Sequence, residues 1–146
     1  MSELADRLQQ QVWDFVYAYD AAYDRAARSV GLSAAQACLL DAVSREARSM
    51  GELATELLCD ASNVTQLVSR LERGGLVSRT ADPADRRVKQ VSISEAGQVV
   101  RRGVRRAFDF PSDRLGRLTE AEQRQLSGLL AKALAPDPSQ GVGRDR

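Results

Sequence analysis

The chain has 146 residues, of which 43% are apolar and 28% charged, with a net charge of +1. These figures describe one ordinary globular domain, long enough to bury a core, with no apolar run of bilayer-spanning length. Histidine is absent, which removes the commonest acid/base catalyst and metal ligand. The opening "MSELADRLQQ" lacks the basic-then-apolar layout of a signal peptide, so the chain is expected to be cytoplasmic. Arginine outnumbers lysine 19 to 2, a composition that fits a GC-rich bacterial genome. The small net charge hides an asymmetry. Residues 1–60 carry 5 basic and 10 acidic side chains, residues 61–106 carry 10 and 4, and the remainder is balanced. A basic middle segment points to a polyanion partner; the competing reading is a solvated charged face. Cys38 and Cys59 are too few for a disulfide framework and lack zinc-site spacing, so no metal or cofactor is expected. Cys38, beside Ala37, Leu39 and Leu40, reads as a buried packing residue, with a thiol switch using Cys38 and Cys59 as the alternative.

In chain order, Leu4, Leu8, Val12, Phe15, Tyr19, Ala22 and Ala26 repeat at helical spacing, predicting one long helix over 3–30. Trp13, Val16, Tyr17 and Tyr23 add a second stripe, making the apolar arc too wide for one small domain to cover. A second copy of the chain relieves that excess. Trp13 and Tyr17, one turn apart, could instead line a ligand pocket. Gly31 ends the helix. "SAAQ" at 33–36 is a capping box that opens a second helix, and "SMGE" at 49–52 opens a short third one with Leu53, Ala54, Leu57 and Leu58. Asp60 is a plausible cap for a fourth helix, built on Val64, Leu67, Val68 and Leu71 and stopped by Gly74-Gly75. The third and fourth helices have the lengths of a helix-turn-helix.

Strands are predicted at 76–80 and 88–93, joined by "ADPADRR". Ser94 caps a further helix reaching about Phe110, where Pro111 should kink or end it. "TEAE" at 119–122 opens a last helix with Leu126, Leu129, Leu130, Ala133 and Leu134 on one face. Residues 136–146 lack apolar content and are expected to be a disordered tail.

The fourth helix carries the chemistry. With its aliphatic residues facing inward, 100° per residue turns Ser62, Gln66, Ser69 and Arg73 outward, flanked by Asn63, Thr65 and Arg70. Hydroxyls, amides and arginines without an acid are the groups that bond base edges and phosphates. The hairpin carries Arg86 and Arg87 at its tip, where a narrow minor groove would attract them. Asp82 and Asp85 can hold the loop's shape by accepting backbone hydrogen bonds and pairing with an arginine. The competing reading is a charged turn that only keeps a hairpin soluble.

At these residues the chain resembles a family. "DASNVTQLVSRLERGGLVSR" followed by "DPADRRVKQVSISEAG" looks like the MarR (multiple antibiotic resistance regulator) family of bacterial transcription factors, with the likeness spanning about residues 5–135. The resemblance implies a mainly α fold with a small β-hairpin wing: a winged helix-turn-helix over 31–93 plus a helical dimerisation region at 3–30 and 94–135. It further implies a homodimer on palindromic double-stranded DNA, usually a repressor released by a small-molecule effector. Ser62, Asn63, Thr65, Gln66, Ser69 and Arg70 match its groove-facing set, and Arg86 its minor-groove arginine. Gly75, the Ile93-Ser94 pair and Pro111 depart from the family pattern, and the first helix lacks the reactive cysteine of the peroxide-sensing branch. A winged-helix module that binds protein instead of DNA remains a second reading. An enzyme has no support, since there is no phosphate-cradling glycine loop and no nucleophile–base pair.

Overall fold

The computed structural model describes residues 2–136. Pro136 apart, the tail expected to be disordered lies outside the described residues. Two compact units divide the chain, Met1–Phe110 and Pro111–Arg146.

In the first unit, helices α1 (Glu3–Arg28), α2 (Ala34–Ala42), α3 (Met50–Glu56), α4 (Ala61–Arg73) and α5 (Glu95–Ala107) surround a small sheet. Local chemistry sets each helix start. Ser33 with Gln36, and Ser49 with Glu52, form reciprocal capping boxes, while Asp60 and Ser94 accept the backbone N–H groups of Asn63 and Gly97. Each such cap stabilises its helix by about 1 kcal/mol. The sheet has the antiparallel order β1-β3-β2, with β1 Arg48–Ser49, β2 Val77–Ala81 and β3 Lys89–Ile93. Its register sets Arg79 and Arg48 on either side of Val91.

Leu39, Leu40, Val43, Leu53, Val64, Val68, Leu71 and Val91 form the fully buried centre. α1 joins this core through Ala22, Ala26 and Ala27, whose small side chains let its last turns pack on α2 and α5. Further along that interface Tyr19 and Tyr23 meet Phe108 edge-on at 5.0 and 5.2 Å, and Phe15 meets Phe110 at 5.3 Å. Nearer its start, Leu4, Leu8 and Val12 are 65%, 57% and 55% exposed.

In the second unit, α6 (Phe110–Leu115) begins at the boundary and α7 (Glu120–Ala133) follows. Thr119 and Glu122 form the capping box of α7, and Gln123 Nε2 donates to the carbonyls of Leu115 and Leu118. Leu129, Leu130 and Leu134 are exposed.

Several expectations are corrected. The hairpin gains a third strand, β1, whose two residues are too few to show an alternating pattern. The helix after Ser94 stops at Ala107, four residues before the proline. Pro111 then sits in the first turn of α6, where its missing N–H costs nothing. Leu58, expected among the apolar residues of the third helix, lies in the following turn and is 93% exposed. Cys38, expected to be buried, is exposed on α2, and Cys59 is half-buried. Helical spacing put Cys38 next to the core face, but the inward positions belong to Ala37, Leu39 and Leu40.

Candidate nucleic-acid interface

The turn between α3 and α4 is compact. Leu57 ends α3, Leu58 takes a left-handed φ of 51°, and the Cys59 N–H reaches back to the Ala54 carbonyl at 3.1 Å. A non-glycine residue in that region costs on the order of 1 kcal/mol, held in place by the two helices it joins. Asp60 then caps α4. Its carboxylate accepts from the Asn63 N–H and the Ser62 hydroxyl, and these bonds hold it below the usual carboxylate range.

α4 buries Val64, Val68 and Leu71 and turns Ser62, Asn63, Thr65, Gln66, Arg70 and Arg73 to solvent, with Ser69 half-buried. Some of these groups are already engaged within the helix. Thr65 Oγ1 donates to the Ala61 carbonyl at 2.9 Å, and Arg73 Nε donates to that of Ser69 at 3.4 Å. The side chains of Asn63, Gln66 and Arg70 have no hydrogen-bond or ion-pair partner among the described residues, so their donors are available to a ligand.

The only acid on α4, Glu72, is drawn off this face. Its carboxylate takes a forked bond from Arg79 on β2 (Nη2 to Oε1 3.0 Å, Nε to Oε2 3.3 Å) and also accepts the Arg79 N–H at 3.1 Å. The guanidinium holds Glu72 below its ordinary range. This pair fastens the wing to the helix and leaves the outer face of α4 purely basic and neutral-polar. The Glu72–Arg79 pairing is not legible in the sequence, because two residues seven apart across a turn meet only once the strand register exists.

In the wing, Asp82 Oδ1 accepts the Ala84 N–H at 2.8 Å and its Oδ2 accepts Gln90 Nε2 at 2.9 Å; the backbone bond is the larger cause of its lowered pKa. Asp85 Oδ1 accepts the Arg87 N–H at 3.0 Å and lies 3.6 Å from Arg87 Nε. Main-chain bonds from Asp82 to Val88 and from Val88 to Asp85 close the loop. Both acids thus shape the tip, and Arg86, exposed there, has no partner among the described residues.

Trp13 and Tyr17 stack on one another at 5.9 Å on the exposed part of α1. They lie outside a cavity of about 190 Å³ where α1, α2 and α5 meet, lined by Tyr19, Tyr23, Asp41, Arg101, Arg105 and Phe108. Burial, and then the neighbouring Cys38, push the Tyr23 phenol far above its usual value. No group of three or more His, Cys, Asp or Glu side chains able to hold a metal occurs among the described residues. Nor is any described helix long and apolar enough to cross a membrane.

A helix-turn-helix followed by a three-stranded sheet with a projecting basic hairpin defines a winged helix protein. Residues 30–88 match the MarR family. The transcriptional activatory protein BadR of Rhodopseudomonas palustris is 33% identical over 102 residues, 67% of this chain and 58% of BadR. The HTH-type transcriptional repressor IacR of Pseudomonas putida is 32% identical over 90 residues, 56% of this chain and 50% of IacR. The matched stretch thus spans little more than half the length of these relatives. Among solved structures, the YusO protein of Bacillus subtilis is 25% identical with a TM-score of 0.72, covering 91% of this chain and 97% of YusO. The chain belongs to the MarR family of winged helix-turn-helix transcriptional regulators.

Proposed function

We propose that the protein acts as a homodimer on palindromic double-stranded DNA, as a repressor of nearby genes released by a small-molecule effector. The observation that carries the reading is the outer face of α4, acid-free and with Asn63, Gln66 and Arg70 unpartnered among the described residues. Beside it stands a wing whose two acids are consumed in shaping a loop that presents Arg86. In the major groove, amides read adenine and guanidinium groups read guanine or phosphate, while a wing arginine enters the adjoining minor groove. Exposed Leu4, Leu8 and Val12 on α1, and Leu129, Leu130 and Leu134 on α7, supply the surfaces for a second copy. BadR and IacR are named for opposite outcomes, and repression here follows the IacR likeness. An effector small enough for the cavity of about 190 Å³ between α1, α2 and α5 would meet Arg105 there as a partner for an anionic group, Arg101 being already paired with Asp41 at 2.8 Å.

Duplex binding titrated across salt tests the core of this reading. A steep fall in log affinity with log salt is expected, because each neutralised phosphate releases condensed counterions. No measurable duplex binding at low salt would leave the protein-interaction reading in its place.

A further inference from the structure

Both cysteines of the chain, Cys38 on α2 and Cys59 in the α3–α4 turn, line one cavity of about 480 Å³, although 21 positions separate them in the sequence. Its far wall is α4, through Asn63, Gln66, Leu67 and Arg70. The volume suits a single-ring organic molecule, since small-molecule sites run from roughly 300 to 1,000 Å³. The lining is chemically mixed. Leu57, Leu58 and Leu67 are apolar, Asn63, Gln66 and Arg70 carry hydrogen-bond donors, Glu56 is the one acid, and the thiols are the strongest nucleophiles present. Of the two, Cys38 is the exposed one.

We propose that this cavity captures an apolar, aryl-bearing α,β-unsaturated carbonyl compound, which adds covalently to Cys38 and then blocks the groove-reading face of α4. In the addition the Cys38 sulfur bonds the β-carbon. The C=C π pair moves toward the carbonyl, and the thiol proton ends on the α-carbon. Nothing leaves and no oxidant or reductant is consumed. Arg70 and the amides of Asn63 and Gln66 donate to the carbonyl oxygen as charge builds there. Gln66 and Arg70 line the cavity and also belong to the face proposed to read DNA, so an occupant and a duplex compete for the same donors. This second half rests on the proposed DNA binding; the capture step does not.

The two halves are tested separately on the full chain. N-phenylmaleimide and N-methylmaleimide are each reacted at limiting concentration, with adducts quantified by intact mass spectrometry and mapped by peptide. Rates are normalised to those of the two reagents with free cysteine. Docking of the ring should make the phenyl reagent about tenfold faster at Cys38, the advantage of a pre-positioned reactant. Equal normalised rates, or an adduct mapping to Cys59 alone, overturn the site. In the second half, the Cys38 adduct should bind duplex DNA at least about tenfold more weakly, a loss of about 1.4 kcal/mol. Saturating duplex should protect Cys38 from the reagent. Cys38→Ser should bind duplex like the unmodified protein and lose the sensitivity. An adduct that binds duplex as well as the free protein overturns the blocking step. Absence of duplex binding by the unmodified protein would instead refute the proposed function, with the capture site still judged by the maleimide rates.

Discussion

Arg86 and Gln66 both project from the candidate interface without a partner among the described residues, yet they should answer different experiments. Arg86 is a cation at the tip of a loop whose shape is already held by Asp82 and Asp85. In the proposed dimer on DNA, its replacement by alanine would remove two cationic contacts. The slope of log affinity against log salt should flatten by roughly 1 to 2 units, read by fluorescence titration at several salt concentrations. Gln66 is uncharged, so Gln66→Ala should leave that slope nearly unchanged while narrowing the gap between cognate and random duplex, by about 1–3 kcal/mol for a lost bidentate base contact. Neither residue contributes to the buried centre, so thermal unfolding should be unaffected. An Arg86→Ala protein with unaltered slope and affinity would mean that the wing is only a solubilising hairpin.

At the scale of elements, the wing is held to α4 and α5 by two different devices. One is the forked Glu72–Arg79 bond, with its extra backbone N–H. Because Glu72 is held below its ordinary pKa, its contribution is complete above the unfolded value of about 4.3. It is lost as pH falls through the lower folded value. Unfolding followed between pH 6 and 3 should therefore show a shallower acid loss for Glu72→Gln than for the parent. Parallel curves would mean that the ion pair adds nothing, as many exposed pairs do. The other device is close packing at the start of α5. Ser94 Oγ donates to the Gly75 carbonyl at 2.6 Å, its N–H reaches the Leu76 carbonyl at 2.9 Å, and Gly97 lies directly over that turn. A Cβ at Gly97 would stand 2.2 Å from the Leu76 carbonyl oxygen and 2.7 Å from Ile93 Cγ1. Gly97→Ala should therefore destabilise by about 1–3 kcal/mol or more by denaturant titration, despite alanine's better helix propensity. Unchanged or increased stability would show that β2 and α5 can separate freely.

For the whole molecule, the largest unmet demand is apolar surface. α1 is about 39 Å long, yet only Ala22, Ala26 and Ala27 of its 26 residues are buried. Leu4, Leu8, Val12, Trp13 and Tyr17 are each at least half exposed, leaving two apolar stripes of one helix in water. At about 25 cal/mol per Å², covering it with a second copy supplies a large driving force. Sedimentation at low micromolar concentration should give a dimer, and Leu8→Asp should shift it toward a destabilised monomer. A folded wild-type monomer at that concentration would remove the dimer from the proposed function. Dimerisation would also set two copies of α4 and of the wing on one duplex, about one helical turn apart.

Legible in the sequence is whatever closes within about four residues. Ser33 with Gln36, Ser49 with Glu52 and Thr119 with Glu122 are visible as capping boxes because both partners lie on one turn. The inward row of Val64, Val68 and Leu71 is legible for the same reason, and with it the outward row that includes Gln66 and Arg70. The Asp82 and Asp85 bonds to backbone two residues on are equally local. The rest depends on packing between elements. β1 is two residues that become a strand only opposite Gln90 and Val91, more than forty positions away. Glu72 finds Arg79 only after Gly74 and Gly75 turn the chain and the strand register is set. Whether Cys38 faces the core or a cavity depended on a rotation of α2 that its neighbouring aliphatics settled. Pro111 opened a helix instead of breaking one because α5 had already ended at Ala107. Local spacing states which groups can meet along a turn, whereas pairing across elements depends on how packing orients their faces, which no short stretch contains.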